Sequence, residues 1–286
     1  MCSASNYGIE EMEILLLLGI GLTIGGIALA LDDNDDGVEG EKVTGTEEDN
    51  DIAGGEGDDT VFAGDGIDIV DGNGGDDRLF GQDGEDLLVG GEGNDFLRGG
   101  SDPDLIIDGT GSDTIYGDLG GDLIVSTSAV GSDQAVQAAR DYIALEDPDD
   151  DIFLEPDWSA DTDSDPDEIY AGYGDDTVIA GDGDIVSLGE GEDSIIVGDW
   201  IDAKDDAVTV TDFNTSEEVL VYSHDGQGPL PEFSVTRDDD GTGEGQGSAL
   251  VFADGVLVAR LSGAGGSFSL GNLSIVDHGE NGRLFF

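Results

Sequence analysis

GGEGDDTVF, AGDGIDIVD, GNGGDDRLF, GQDGEDLLV, GGEGNDFLR, GGSDPDLII, DGTGSDTIY and GDLGGDLIV follow one another without a gap from Gly54 to Val125, eight units of nine residues. Position six of every unit is aspartate: Asp59, Asp68, Asp77, Asp86, Asp95, Asp104, Asp113 and Asp122. Position eight is aliphatic each time: Val61, Val70, Leu79, Leu88, Leu97, Ile106, Ile115 and Ile124. A solvated acidic linker has no reason to set an apolar residue two places after each aspartate, so the period specifies a folded repeat array. Positions seven to nine read as short strands, with position eight turned into a narrow interior and its neighbours turned outward. One apolar residue per unit makes a thin core, so each repeat depends on its neighbours and the stack needs caps.

The turns carry the chemistry. Glycines at positions one, two and four, which are Gly54, Gly55 and Gly57 in the first unit, permit positive φ and leave carbonyl oxygens unobstructed. Calcium takes about six to eight oxygen ligands in flexible geometry, which carbonyls and a carboxylate from each of two stacked turns would supply. Zinc, copper and iron favour His or Cys. The chain has one cysteine, Cys2, and two histidines, His224 and His278, both expected at the surface. Magnesium, which demands tight octahedral geometry and retains water, suits such a cage less well.

Composition agrees. Of 286 residues only 37% are hydrophobic, and 69 Asp and Glu face 8 Lys and Arg, a formal charge of −61. That charge argues against nucleic acid as a partner and would drive a compact chain apart unless counter-ions neutralise it. A single cysteine allows no intrachain disulfide, so bound metal is the staple the composition leaves.

The units resemble the GGxGxDxUx nonapeptide of RTX, or hemolysin-type, calcium-binding proteins. The resemblance implies a right-handed parallel β-roll with two units per turn and calcium held between turns on each side. It also implies carboxylates from the position-six aspartates and carbonyls from the glycine turns, here Gly55, Gly57, Gly64, Gly66, Gly75, Gly84, Gly91, Gly93 and Gly111. On that pattern Asp59 shares an ion with the turn around Gly75 and Asp77, and Asp68 with that around Gly84 and Asp86. Two units depart from the pattern: one has Asp102 and Pro103 in its turn, the other begins with Asp108, and sites there are expected to be weaker or differently built.

The period is lost over residues 126–161, where Ser132 to Glu146 reads as a short helix and the DPDDD run as a solvated loop. It resumes over 162–197 with Asp167, Asp176, Asp184 and Asp193 at position six and Gly174 and Gly191 in the turns, one unit being a residue short. Before the first block, residues 45–53 form a degenerate cap with Asn50 at position six and Ile52 at position eight, so the blocks span 45–125 and 162–197.

Residues 1–13 form an acidic leader, and Ile14 to Leu31 form an uncharged run of 18 residues, followed by an acidic linker over 32–44. The run is expected to be helical. Anchor, signal peptide and buried helix all stand as readings, because Glu10, Glu11 and Glu13 precede it where a signal would carry positive charge. Gly21 and Gly25 have the GxxxG spacing.

Residues 198–286 read as an antiparallel β module that caps the roll. Strands are expected to pair within Ala207 to Ser223, across an Asp254-Gly255 hairpin turn joining Leu250–Phe252 to Val256–Val258, and a last one is expected through Leu273 to Val276. The TDF segment and the terminal GRLFF are similar to the region that follows the repeats in RTX proteins, which leave bacteria by type I secretion.

The expected fold is therefore all-β: a parallel roll, an antiparallel carboxy-terminal cap and an amino-terminal hydrophobic helix. The expected function is calcium binding, several ions per chain, by a secreted or surface-held bacterial protein that folds on the metal and has no catalytic site. A hydrolase with an RTX tail and an adhesin or matrix protein are the alternatives. No HExxH or GxSxG occurs, and nothing names a protein or surface ligand.

Overall fold

The computed structural model describes residues 22–24, 27–29, 40–127, 153–154, 165–201, 207–224, 228–238, 247–277 and 284–285. Two sheets of 11 strands dominate, and successive repeat strands alternate between them. Sheet A takes Asp51–Glu56, Ile69–Gly74, Leu87–Glu92, Leu105–Thr110, Leu123–Ser126, Thr177–Ala180 and Ser194–Gly198. Sheet B takes Lys42–Thr44, Thr60–Asp65, Arg78–Asp83, Phe96–Ser101, Thr114–Leu119, Glu168–Tyr173 and Ile185–Glu190. All of these pair in parallel, each residue of the first block opposite one 18 positions later, so one turn of the roll is two units.

The position-eight residues form two unbroken files. In sheet A the file is Ile52, Val70, Leu88, Ile106, Ile124, Val178 and Ile195; in sheet B it is Val43, Val61, Leu79, Leu97, Ile115, Ile169 and Val186. All but Val43 are wholly excluded from solvent. The register passes straight over the interruption, with Ile115 against Ile169 and Ile124 against Val178. The second block is the same solenoid resumed.

Three features differ from the sequence expectation. The strands are about twice as long as expected, running from position seven to position three of the next unit, as in Thr60–Asp65. The two-residue alternation then brings position one inside beside position eight, which is why the burial alternates along the strand. Position one holds glycine for room and not for φ. Gly54 and Gly72 do not have positive φ, but a Cβ on Gly72 would lie 2.3 Å from Asp77 Oδ2 and 2.5 Å from the Gly90 carbonyl oxygen.

The outer faces of the two sheets also differ. Position nine of sheet B carries Phe62, Phe80, Tyr116 and Tyr170, which stack with Phe96 into a surface ladder at centroid separations of 4.8 to 5.6 Å. Position nine of sheet A carries Val89, Ile107, Val125 and Ile179, all buried.

The helix expected over Ile14 to Leu31 is corrected where the chain is described. Leu22–Ile24 and Ile27–Leu29 are strands, paired antiparallel to each other, and the second lies parallel to Asp51–Ala53 at the edge of sheet A. Gly25 and Gly26 weaken a helix at that point, β-branched Thr23, Ile24 and Ile27 favour strand, and the open edge offers unpaired backbone groups. No helix among the described residues is long and apolar enough to cross a membrane. The helix expected at Ser132 to Glu146 and the DPDDD loop lie outside the described residues.

The carboxy-terminal part is a continuation of the roll before it is a cap. Val208–Val210 joins sheet B and Val219–His224 joins sheet A, both in parallel, so the two strands expected to pair within Ala207 to Ser223 belong to opposite sheets. Val256–Leu261 and Leu273–Asp277 add further parallel strands. Antiparallel pairing begins only at the edge of sheet B, where Ser248–Ala253 pairs with Val256–Leu261 through the expected turn, with φ of 47° at Asp254 and 84° at Gly255. Phe233–Asp238 closes that edge. Leu284–Phe285, within the GRLFF end, pairs with Phe153–Leu154 of the interruption.

Candidate metal centre

The turn between strands brings the aspartates into line. Positions two and four have positive φ in all eight units of the first block, including Gly55, Gly57, Gly64, Gly66, Gly75, Gly84, Gly91, Gly93 and Gly111; Gly174 and Gly191 repeat this in the second. Where the residue is not glycine, Asn73, Gln82, Asp102 and Asp118 adopt the same region at φ of 71° to 92°. Asp102 therefore preserves the turn in its divergent unit. Such conformations cost a non-glycine residue about 1–3 kcal/mol, so the stacked neighbours must impose them.

Each turn projects its position-six carboxyl along the roll axis. Asp59 N–H donates to Asp77 Oδ1 at 2.7 Å, Asp77 to Asp95 at 2.7 Å, Asp95 to Asp113 at 2.6 Å and Asp113 to Asp167 at 2.7 Å. The other edge repeats the pattern: Asn50 N–H donates to Asp68, Asp68 to Asp86, Asp86 to Asp104, Asp104 to Asp122, Asp122 to Asp176 and Asp176 to Asp193. Asp167 N–H donates to Asp184, a step of 17 residues that absorbs the one-residue deletion. All twelve sequence-assigned aspartates thus fall into two ladders, one per edge, and all are buried. Asn50, read from sequence as a degenerate cap, is a regular rung whose amide also reaches Asp68 Oδ1 at 3.0 Å.

The second carboxylate oxygen defines what the site can hold. In Asp59, Asp68, Asp77, Asp86, Asp95, Asp104, Asp122, Asp176 and Asp193, Oδ2 is buried and accepts no hydrogen bond. In the units whose position one is glycine it sits beside that residue and the position-one carbonyl of the next turn: a Cβ on Gly54 would meet Asp59 Oδ2 at 2.4 Å and the Gly72 oxygen at 2.9 Å. Each slot thus offers carboxylate and carbonyl oxygens with no protein hydrogen to satisfy the former, a donor set that fits a hard cation such as calcium.

Burial raises the affinity of these carboxyls for protons. It pushes Asp68, Asp95 and Asp122 up to about 6, Asp77 and Asp176 to about 7, Asp86 to about 8 and Asp104 to about 9. Asp59 and Asp193 move in the same direction for the same reason. A buried unsatisfied polar atom costs about 1–3 kcal/mol, and more when charged. Nine ionised ones would match or exceed the about 5–15 kcal/mol by which a domain is ordinarily stable. The ladders therefore require either protons or cations.

Sequence reasoning missed three groups. Glu218 aligns with Asp193 on the next rung, since Val219 lies opposite Ser194; it is buried and pushed up to about 7 by burial. Its Oε2 accepts from Asn214 N–H at 2.8 Å, ending the ladder locally. Ser126 contacts two of the ladder carboxylates, as described below. His224, expected at the surface, is buried with Nδ1 2.5 Å from Asp199 Oδ2, and Tyr222 donates to Asp199 Oδ1 at 2.7 Å. No periodic signal marks these residues, because only the register of the folded sheets brings them to their partners.

Comparison with known families agrees with the geometry. The sequence model of the RTX calcium-binding nonapeptide repeat matches in four copies, over residues 44–79, 62–97, 89–124 and 161–195. No curated protein matches the chain. The two blocks that build the ladders are accordingly RTX repeats, of a type described as calcium-binding.

Proposed function

We propose that the chain is a calcium-dependent folding module of a bacterial protein working outside the cell, with a structural or interaction role and no catalytic one. The observation that carries this reading is the double file of buried position-six carboxylates, nine of them (Asp59, Asp68, Asp77, Asp86, Asp95, Asp104, Asp122, Asp176 and Asp193) with an oxygen that accepts no hydrogen bond. In the proposal the twelve aspartates supply carboxylate ligands and the glycine turns, including Gly55, Gly57, Gly64, Gly66, Gly75, Gly84, Gly91, Gly93, Gly111, Gly174 and Gly191, supply carbonyls. When bound, calcium neutralises the adjacent carboxylates and joins one turn to the next. Where calcium is scarce, a chain of −61 charge repels itself; where it is plentiful, ion binding free energy becomes folding free energy. Extracellular sites of millimolar strength suffice for this, which favours export as the point at which the roll orders.

The half-buried aromatic ladder of sheet B supports the interaction role, since a row of rings is unusual on a surface that is otherwise acidic. The test is a calcium titration of the metal-free chain followed by circular dichroism and hydrodynamic radius. Gain of β-structure with compaction is expected; no change up to about 10 mM would overturn the proposal.

A further inference from the structure

The unit that begins with Asp108 sits where the two blocks meet, and it is built unlike the others. Every other position-one residue of the first block is glycine or alanine, because a side chain there points into the slot beside the position-six carboxyl. Asp108 places a second carboxylate in that slot. It is completely buried; Oδ1 accepts from Gly109 N–H at 2.6 Å, and Oδ2 accepts no hydrogen bond. One carboxylate oxygen each from Asp108, Asp113 and Asp167 lies within 4.8 Å of the others.

A fourth carboxyl and a hydroxyl adjoin them. Ser126 Oγ is 2.9 Å from Asp167 Oδ2 and 2.8 Å from Asp184 Oδ2, and a single hydroxyl hydrogen can serve only one of the two at a time. Asp184 Oδ2 also accepts from Gly181 N–H at 2.7 Å. Ser126 ends the last strand before the interruption, and Asp167 directly precedes the first strand after it. The group therefore joins both ends of the 36-residue interruption (126–161) in one buried pocket.

We propose that Asp108, Asp113, Asp167, Asp184 and Ser126 form a separate calcium site, stronger than the repeat sites, that clamps the second block onto the first. A regular slot brings together two ladder carboxylates, whereas this one gathers four, and ligand charge is the main lever on calcium affinity in oxygen sites. Buried carboxylates at such separations need a cation or protons to coexist, and Ser126 together with the backbone supplies too few hydrogens for all of them. Magnesium, which holds its water and needs octahedral geometry, fits this enclosed pocket less well. The identity of the ion rests on the calcium reading proposed above; the existence of a distinct site rests on Asp108.

The test is competitive calcium titration of the full chain against a chromophoric chelator, comparing wild type with Asp108→Gly, which restores the residue found at this position in most units. Wild type should hold one ion about tenfold or more tighter than the remainder, and Asp108→Gly should lose that ion while keeping the weaker class. Asp108→Asn, which preserves volume, should lose it as well. Circular dichroism of both calcium-saturated variants should match wild type. A single affinity class in wild type, or a tight ion that survives both substitutions, would overturn the site while leaving the repeat reading intact. Absence of any calcium binding would overturn both. If Asp108 is a protonated acid sharing its hydrogen with a neighbour, Asp108→Asn will leave the number of tight ions unchanged, which also refutes the proposal.

Discussion

The rungs from Asn50 to Asp193 and the carboxy-terminal strands Val208–Val210, Val219–His224 and Val256–Leu261 stack in parallel, yet they are held together by different physics. A repeat rung contributes an aliphatic side chain, a glycine or alanine and a buried aspartate. Among the described residues, a carboxy-terminal rung has no such aspartate file. Its interior holds Val208, Val210, Phe213, Leu220, Tyr222, Val251, Leu261 and Phe268, with Phe213 and Phe268 edge to face at 5.8 Å. The same cross-section is thus closed by oxygen ligands in one stretch and by apolar packing in the other. On the proposed reading only the first depends on an ion, and the second is an end on which the repeats can stack.

Removing calcium should separate the two regions most sharply. Hydrogen exchange of the full chain in excess chelator is expected to show lost protection across the repeat strands between Asp51 and Gly198, with protection retained at Val251, Ala259 and Leu220. Simultaneous loss in both regions would break the comparison.

Acid should partly replace the metal in the repeats. The unfolded-state value of an aspartate is about 3.9, and the folded repeats hold theirs at about 6 to about 9, so the folded chain binds more protons across that window. Stability from these groups is present below about pH 4 and is lost as pH rises through about 6 to 9. In chelator, β-structure measured by circular dichroism should therefore increase as pH falls from about 8.5 towards 5.5, and calcium binding near neutral pH should release protons. A metal-free chain that is more ordered at the higher pH would contradict this assignment.

The smallest effect compares one substitution in both regions. Gly255→Ala meets open space, so its cost is the positive φ alone, about 1–2 kcal/mol. Gly75→Ala meets the Gly57 carbonyl oxygen at 2.3 Å and carbon at 2.4 Å in addition to a φ of 126°. Urea unfolding at saturating calcium should show the greater loss at Gly75. Equal losses would mean that the turns of the roll are not packed as closely as their carbonyl contacts require.

Much of the fold was legible because the period of nine is a local property. Each unit repeats the same demands on φ, burial and charge, so the aspartates, the position-eight file and the positive-φ glycines at positions two and four could be read one unit at a time. The long runs of sheet were less legible. Position one looked like another flexible glycine, and only the approach of Asp77 Oδ2 and the Gly90 carbonyl reveals that it is kept small for space. The amino-terminal apolar run had the composition of a spanning helix, but Leu22–Ile24 and Ile27–Leu29 pair at the edge of sheet A, where backbone hydrogen bonds outweigh a helix interrupted by two glycines.

The sequence by itself determined that this is a calcium-type repeat solenoid, that its position-eight residues face the interior, and that its charge cannot be buried without counter-ions. The tertiary structure alone decided where the solenoid ends and what joins its halves. Register across an interruption is a contact between residues 54 apart, as in Asp113 with Asp167, and no local spacing encodes it. For the same reason Ser126, Asp108 and Asp184 became neighbours only when the two blocks stacked, and part of the expected cap proved to extend the roll, since parallel pairing is chosen by the partner strand and not by the strand's own residues.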